Sequence, residues 1–140
     1  MEINELHQKA QAARYLALEL AHNANESHSG GALSMADVLM TLYANYLNNS
    51  PELQHNDNRD RFILSKGHCC SLYYAILAEM GFFTKQKLLE NFAKNGTHFF
   101  AHASHTLPGV ELSTGSLGHG LPVSSGLALG AKRSGKSFDV

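Results

Sequence analysis

The sequence predicts an α/β fold in which helices flank a parallel sheet. Several segments repeat apolar residues at intervals of three and four, the period of an amphipathic helix. One short apolar run, residues 61–65, lies between a polar stretch and Lys66-Gly67, which is typical of a buried strand. Helices that alternate with buried strands cover a parallel sheet. Residues 138–140 resemble the start of a second strand, so we expect the sheet to be incomplete within these 140 residues.

The predicted helices follow one another with recognisable ends. The first covers residues 3–24, and its apolar positions share one face: Ile3, Leu6, Ala10, Ala13, Leu16, Leu20 and Ala24. A polar turn then leads to a second helix over residues 35–47, where Ser34 and Asp37 have the spacing of a capping box. Residues 50–60 are polar and indicate a loop.

A third helix is predicted over residues 71–80 and a fourth over residues 85–95, with Thr84 as the cap of the fourth. Residues 96–120 have no regular apolar period, which for so long a stretch indicates a functional or mobile loop.

A last helix begins near Pro122, and Val123, Leu127 and Ala131 share one of its faces. Its glycines at 126 and 130 are expected where this helix lies close to another backbone.

Composition excludes several classes of protein. The net charge is −1 and the basic residues are scattered, so no surface for nucleic acid or an anionic membrane is indicated. No apolar run approaches the length of about 20 residues that spans a bilayer, and the polar N-terminus does not resemble a signal peptide. Cys69 and Cys70 are adjacent and are interpreted as small packing residues at a helix start. These features predict a soluble cytoplasmic protein.

Four stretches combine small residues with histidine, the side chain that titrates near neutral pH: residues 27–31, 65–68, 100–103 and 115–120. Glycine lets the backbone approach a ligand closely, and a neighbouring imidazole can accept or donate a proton. The predicted strand leads into Lys66-Gly67-His68, and open α/β sheets bind ligands at the carboxyl ends of their strands. His68 is therefore well placed to contact a ligand.

Two other patterns suggest different sites. Residues 130–137, GAKRSGKS, match the pattern of a phosphate-binding loop. That loop joins a strand to a following helix, whereas here a helical segment precedes it, and the basic residues with Gly135 are typical of a helix end. His98, His102 and His105 have the spacing of zinc ligands on a helix, but their segment lacks a helical pattern and a fourth ligand.

The motifs together, in this order and spacing, resemble the N-terminal portion of a transketolase. They are FILSKGH at 62–68, PGVELSTGSLGHG at 108–120 and SHSGGALSMADVL at 27–39. The chain is similar to the N-terminal section of a split, two-chain transketolase. The resemblance implies the thiamine-diphosphate-binding fold, with residues 1–140 as the N-terminal part of its diphosphate-binding domain.

The resemblance also implies thiamine diphosphate with Mg²⁺, and transfer of a two-carbon ketol unit from a ketose to an aldose. The cofactor would supply carbanion chemistry, and the protein would supply orientation and proton acceptors. Matching motif positions assign His68 to the diphosphate. They assign Gly115 and Leu117 to the cofactor rings, with Ser116 between them. His28 and His102 would contact sugar phosphate oxygens and aid proton transfer.

Some positions depart from the family pattern. Ser27 stands where glycine is usual, and Ala101 and Ala103 flank His102 where glycine and proline are usual. The neighbouring His98 or His105 is therefore an alternative to His102.

The family's metal-binding Gly-Asp-Gly is absent from these residues, so we expect the metal ligands to lie outside them. The expected partner is a C-terminal-section chain with the pyrimidine-binding domain, in a homo- or hetero-oligomer. A truncated, non-catalytic interaction module is the alternative.

Overall fold

The computed structural model describes all residues 1–140 and contains six α-helices. Their bounds are α1 (Ile3–Ala24), α2 (Ser29–Leu33), α3 (Ala36–Thr41), α4 (Cys70–Glu79), α5 (Lys85–Asn91) and α6 (Gly120–Arg133). Short irregular turns lie between them: a π-turn at Leu42–Tyr46 and 3₁₀ turns at Pro51–Leu53 and Gly67–Cys69. None of the six helices combines the length and the hydropathy that a bilayer-spanning helix requires.

The core is built around α4. Every residue from Cys70 to Ala78 is buried, and α1, α2, α3 and α5 all contact this helix. The predicted third helix is thus confirmed, beginning one residue earlier at Cys70 and ending at Glu79. Cys69 and Cys70 are free and buried, in agreement with their interpretation as packing residues.

The long α1 has the predicted bounds, and its buried face contacts α4. It ends where Asn25 takes a left-handed conformation with φ of 55°, and the Asn25 amide bonds back into the last turn. A left-handed residue of this kind closes many helices, because it lets the chain satisfy the final carbonyls.

The predicted second helix is wrong in part. Residues 36–41 are helical, but the chain continues as a π-turn, and the preceding predicted turn contains the short α2. Ser34 does not cap the helix, because its hydroxyl donates to the carbonyl oxygen of Gly31. Asp37 instead pairs with Arg14 of α1 at 2.5 Å, which joins α3 to α1.

The predicted parallel sheet is not present in the structure. Residues 61–65 form no strand, and the only backbone bond between them and residues 138–140 joins the Arg61 amide to the Asp139 carbonyl at 2.9 Å. A ladder needs repeated bonds between neighbouring strands. Here the Thr114 hydroxyl donates to the Leu64 carbonyl at 2.6 Å. The two predicted strands therefore lie side by side without forming a ladder.

The segment after α4 follows the prediction at its start but not at its end. Thr84 caps α5, since its hydroxyl accepts a bond from the Lys87 amide at 3.1 Å. The helix ends at Asn91 rather than residue 95, because Ala93 has φ of 55° and its amide bonds to the Phe99 carbonyl at 2.8 Å. Residues 96–119 contain no helix or strand, as predicted.

Helix α6 is exposed over most of its surface, and only Gly120 and Ala131 are buried. A Cβ added at Gly126 or Gly130 would meet nothing within 4 Å. The prediction that these glycines contact another backbone is therefore not met by any contact within this chain.

Candidate functional site

Backbone contacts bring the predicted histidine segments together at Gly67. The Gly67 carbonyl accepts a bond from the Ala103 amide at 3.2 Å, and the Ala103 carbonyl accepts one from the Thr114 amide at 3.2 Å. A Cβ on Gly67 would lie 2.0 Å from the Thr114 carbonyl oxygen. Only glycine permits this approach, so the loop of residue 103 and the loop of residue 114 meet beside His68.

The beginning of α6 is attached to the same place through Ser65. The Ser65 carbonyl accepts a bond from the Gly118 amide at 3.3 Å, and its hydroxyl accepts one from the Gly120 amide at 3.1 Å. A Cβ on Gly120 would lie 2.9 Å from Ser65 Cα. The loop of Gly115 to Leu117 is thereby held close to the segment that carries His68.

His28 and His68 form the centre of the site. Their ring centroids are 5.1 Å apart with an interplanar angle of 63°, an edge-to-face contact. A Cβ on Gly31 would lie 3.7 Å from His68 Nε2 and 2.8 Å from Cys69 Sγ. The close approach of Cys69 therefore favours glycine at this position, whereas the His68 ring lies at an ordinary contact distance from it.

Lys66 joins the site to α2. Its ammonium donates to the Gly31 carbonyl at 2.6 Å and lies 3.3 Å from Ser34 Oγ. This contact brings a positive charge to the same cluster, beside His68. A lysine and an imidazole can both donate to phosphate oxygens.

His102 approaches from the loop before α6. Its ring is exposed, and its Cδ2 atom would lie 3.9 Å from a Cβ built on Gly115. Gly115 is itself exposed, as are Ser116 and Leu117, and the Leu117 side chain has 71% of its surface exposed. The structure thus brings His28, His68, His102 and Gly115 to one surface, with Ser116 and Leu117 following in the same loop.

The charges in this cluster influence one another. Partial burial lowers the pKa of His68, and the neighbouring His28, His102 and Lys66 lower it further. Burial raises the pKa of Glu26, and His28 and His102 oppose that rise. A neutral imidazole at neutral pH can accept a proton. Sequence reasoning missed Glu26, although an acid two residues before His28 was a usable signal.

The donor set of this cluster fits a phosphorylated cofactor with an aromatic ring system. Lys66 and His68 offer hydrogen-bond donors, and exposed Leu117 offers apolar surface. The position of a Cβ on Gly115 is open apart from the His102 ring. A larger side chain there would fill the space beside His102.

The cluster lies on an open face of the chain. A groove of about 710 Å³ along α1 is lined by His7, Tyr15 and Asp37, among others, and it contains none of the cluster residues. His28, His102 and Gly115 are exposed, so the histidine surface is not enclosed by this chain.

Neither the zinc site nor the phosphate-binding loop that the sequence patterns suggested is formed. His105 Nδ1 pairs with Ser113 Oγ at 2.8 Å, and no group of three histidine, cysteine, aspartate or glutamate side chains is arranged to hold a metal ion. The phosphate-loop pattern is a helix end, as the sequence predicted. Lys132 and Arg133 form the last turn of α6, and Gly135 follows it with φ of +68°.

Residues 6–139, which include the cluster described above, match the sequence model of the family described as "Transketolase, thiamine diphosphate binding domain". The chain belongs to the transketolase family, and it corresponds to an N-terminal section of such enzymes. The predicted family resemblance is thereby confirmed.

Similar proteins include two transketolase subunits and a transketolase of known structure. An apulose-4-phosphate transketolase subunit of Actinobacillus succinogenes is 42% identical over the whole chain, and the corresponding protein of Phocaeicola vulgatus is 34% identical over 94% of it. The chain spans 51% and 47% of these two relatives, about half their length. The transketolase of Campylobacter jejuni superposes with a TM-score of 0.87 at 33% identity, covering 96% of this chain and 21% of that one.

Proposed function

We propose that this chain is the N-terminal part of the diphosphate-binding domain of a transketolase-type transferase. The enzyme would move a two-carbon ketol unit from a ketose to an aldose. The observation that carries the proposal is the meeting of His28, His68 and His102 on one surface, although they lie far apart in the sequence. Thiamine diphosphate, when bound, supplies the carbanion chemistry of this reaction.

Each residue has a proposed role that the family resemblance implies and that its place in the cluster supports. His68 and Lys66 donate to the diphosphate, and His68 lies where the 3₁₀ turn before α4 presents it. Gly115 and Leu117 line the cofactor rings, and Ser116 lies between them. His28 and His102 bind sugar oxygens and exchange protons with them.

A partner chain would complete the active site. The open histidine surface and the exposed leucines of α6 support this, because exposed apolar side chains in one region indicate an interaction surface. The names of the two relatives, each of which describes one subunit of a transketolase, support it as well. The partner would supply the pyrimidine-binding domain. Mg²⁺ ligands would come from residues outside these 140, and a cytoplasmic location stays a prediction from the sequence.

The proposal is tested with this chain mixed with a C-terminal-section transketolase chain and Mg²⁺, by titration with thiamine diphosphate and by an assay of ketol transfer. We expect ketol transfer between sugar phosphates, and His68→Ala should weaken thiamine diphosphate binding about tenfold or more, since a charge-assisted hydrogen bond contributes about 1.5–3 kcal/mol. His28→Ala and His102→Ala should lower kcat about 100-fold with little change in cofactor affinity.

His55→Ala is the matched control, because His55 is exposed and lies outside the cluster. Unchanged cofactor affinity in His68→Ala would contradict the assignment of the diphosphate site. By itself the chain should bind the cofactor weakly, so tight, metal-dependent binding to the isolated chain would contradict the need for outside metal ligands.

A further inference from the structure

Tyr74 connects the core to the loop that carries His102. This tyrosine lies in α4 and is fully buried. Its hydroxyl donates to the His102 carbonyl at 2.8 Å and accepts a bond from the Ser104 amide at 3.0 Å. Burial raises the pKa of Tyr74 well above its ordinary value, so the hydroxyl keeps the proton that it donates.

The Tyr74 ring is itself held firmly. It makes edge-to-face contacts with Phe92 and Phe99, with centroids 6.2 and 6.1 Å away. One helical turn earlier, Cys70 Sγ lies 3.6 Å from the Phe100 carbonyl. A buried ring with such neighbours has little freedom to turn, so its hydroxyl marks a fixed point for residues 102–104.

We propose that Tyr74 is a positioning residue, whose hydroxyl holds the His102 backbone so that the imidazole faces Gly115. This inference rests on the proposed function only for its catalytic consequence. The structural part rests on the two hydrogen bonds of the buried Tyr74 hydroxyl. One goes to the His102 carbonyl and the other comes from the Ser104 amide, so they lie on either side of Ala103. The residue acts through His102 and contacts no substrate.

The neighbouring tyrosine provides a matched control. Tyr73 is equally buried, but its hydroxyl donates to the Gly109 carbonyl at 2.8 Å and lies 3.0 Å from the Tyr43 hydroxyl. Tyr73→Phe and Tyr74→Phe each remove one buried oxygen from adjacent positions of α4. Only the second change removes the bonds to residues 102 and 104.

The first measurement follows the His102 imidazole by NMR in the chain. We expect Tyr74→Phe to shift and broaden the His102 ring resonances, because the loop samples more than one position, while Tyr73→Phe leaves them unchanged. Unchanged His102 resonances in Tyr74→Phe would overturn the proposal. If Tyr74→Phe does not fold, hydrogen exchange of the Ser104 amide in the native chain tests the proposal instead. Exchange as fast as that of the exposed Phe100 would equally overturn the proposal.

The second measurement is a double-mutant cycle in the complete assembly. Tyr74→Phe should lower kcat about tenfold or more, since a small misplacement of a reacting group is costly. It should have no further effect in a His102→Ala background. An equal further loss there would identify a general structural role and overturn the positioning role. Absence of ketol transfer in the native assembly would count against the proposed function, and the NMR comparison would then decide the positioning.

Discussion

Helices α4 and α6 are both rich in apolar residues, yet their surroundings are opposite. In α4 every residue from Cys70 to Ala78 is buried, whereas α6 buries only Gly120 and Ala131. The Leu121 side chain near the start of α6 has 72% of its surface exposed. Apolar burial within this chain therefore stabilises α4, but it contributes little to holding α6.

This difference bears directly on the candidate site, because the site lies where the two helices begin. His68 stands in the turn before α4, and Gly115 to Leu117 stand in the loop before α6. We call the turn that carries His68 the first wall of the site and the loop of Gly115 to Leu117 the second wall. The first wall is attached to the core. The second wall is held chiefly by the bonds of Gly118 and Gly120 to Ser65. We expect the second wall to be the more sensitive to a partner.

The largest effect should distinguish the two helices by the same substitution. Leu72 in α4 is fully buried, so Leu72→Ala should lower the free energy of unfolding by about 3 kcal/mol through lost burial and a cavity. Leu121→Ala in α6 should change it by less than about 0.5 kcal/mol. Urea denaturation measures both values. A comparable loss in the two variants would show that α6 is packed in solution.

A slightly smaller effect is expected at the contact beneath the site. Gly67→Ala would place a Cβ 2.0 Å from the Thr114 carbonyl oxygen, so the two backbones must separate. We expect a loss of about 2–3 kcal/mol, as for overpacked sites, measured by thermal unfolding. Gly30→Ala is the control, because a Cβ there meets nothing within 4 Å. Equal stability of the two variants would refute the close approach at Gly67.

The parts of the fold that the sequence predicts best are those with strong local signals. Helix α1 repeats its apolar period over its whole length, and Thr84 has the chemistry of a cap, so both predictions are confirmed. The predicted capping box at Ser34 is wrong because both side chains bind elsewhere. The Ser34 hydroxyl donates to Gly31, and the Asp37 carboxylate pairs with Arg14 of another helix. Local patterns cannot reveal such competition.

The sheet and the site show the same limit in different ways. The residue pattern of 61–65 identifies a partly buried segment, but a ladder depends on neighbours that a pattern does not contain. The histidines are found through motifs, whereas their approach to one another depends on contacts such as that of Gly67 with Thr114. Tyr74 gives no functional signal in the sequence, because a buried tyrosine resembles any other core residue.

Helix α6 should tolerate a change that α4 would not. Gly126 lies inside α6, and a Cβ there meets nothing within 4 Å. Gly126→Ala should therefore raise the free energy of unfolding by up to about 1 kcal/mol, the difference in helix propensity between glycine and alanine. Thermal unfolding of the chain measures this. A loss of stability would mean that the α6 surface is covered in solution, as the sequence-based interpretation of this glycine proposes.

The smallest effect concerns the charge at the junction of the two walls. The pKa of His68 should lie below its ordinary value, because partial burial and the nearby His28 and Lys66 oppose its protonation. Between the lowered pKa and the ordinary one, the unfolded chain binds more protons, so stability rises with pH in that window and falls on acidification. The ring is solvent-accessible, so direct titration of its C–H resonances by NMR is a better measure than unfolding. His28→Asn should raise the pKa of His68, and His55→Asn should leave it unchanged. A lower pKa of His68 in His28→Asn would show that His28 does not oppose the protonation of His68.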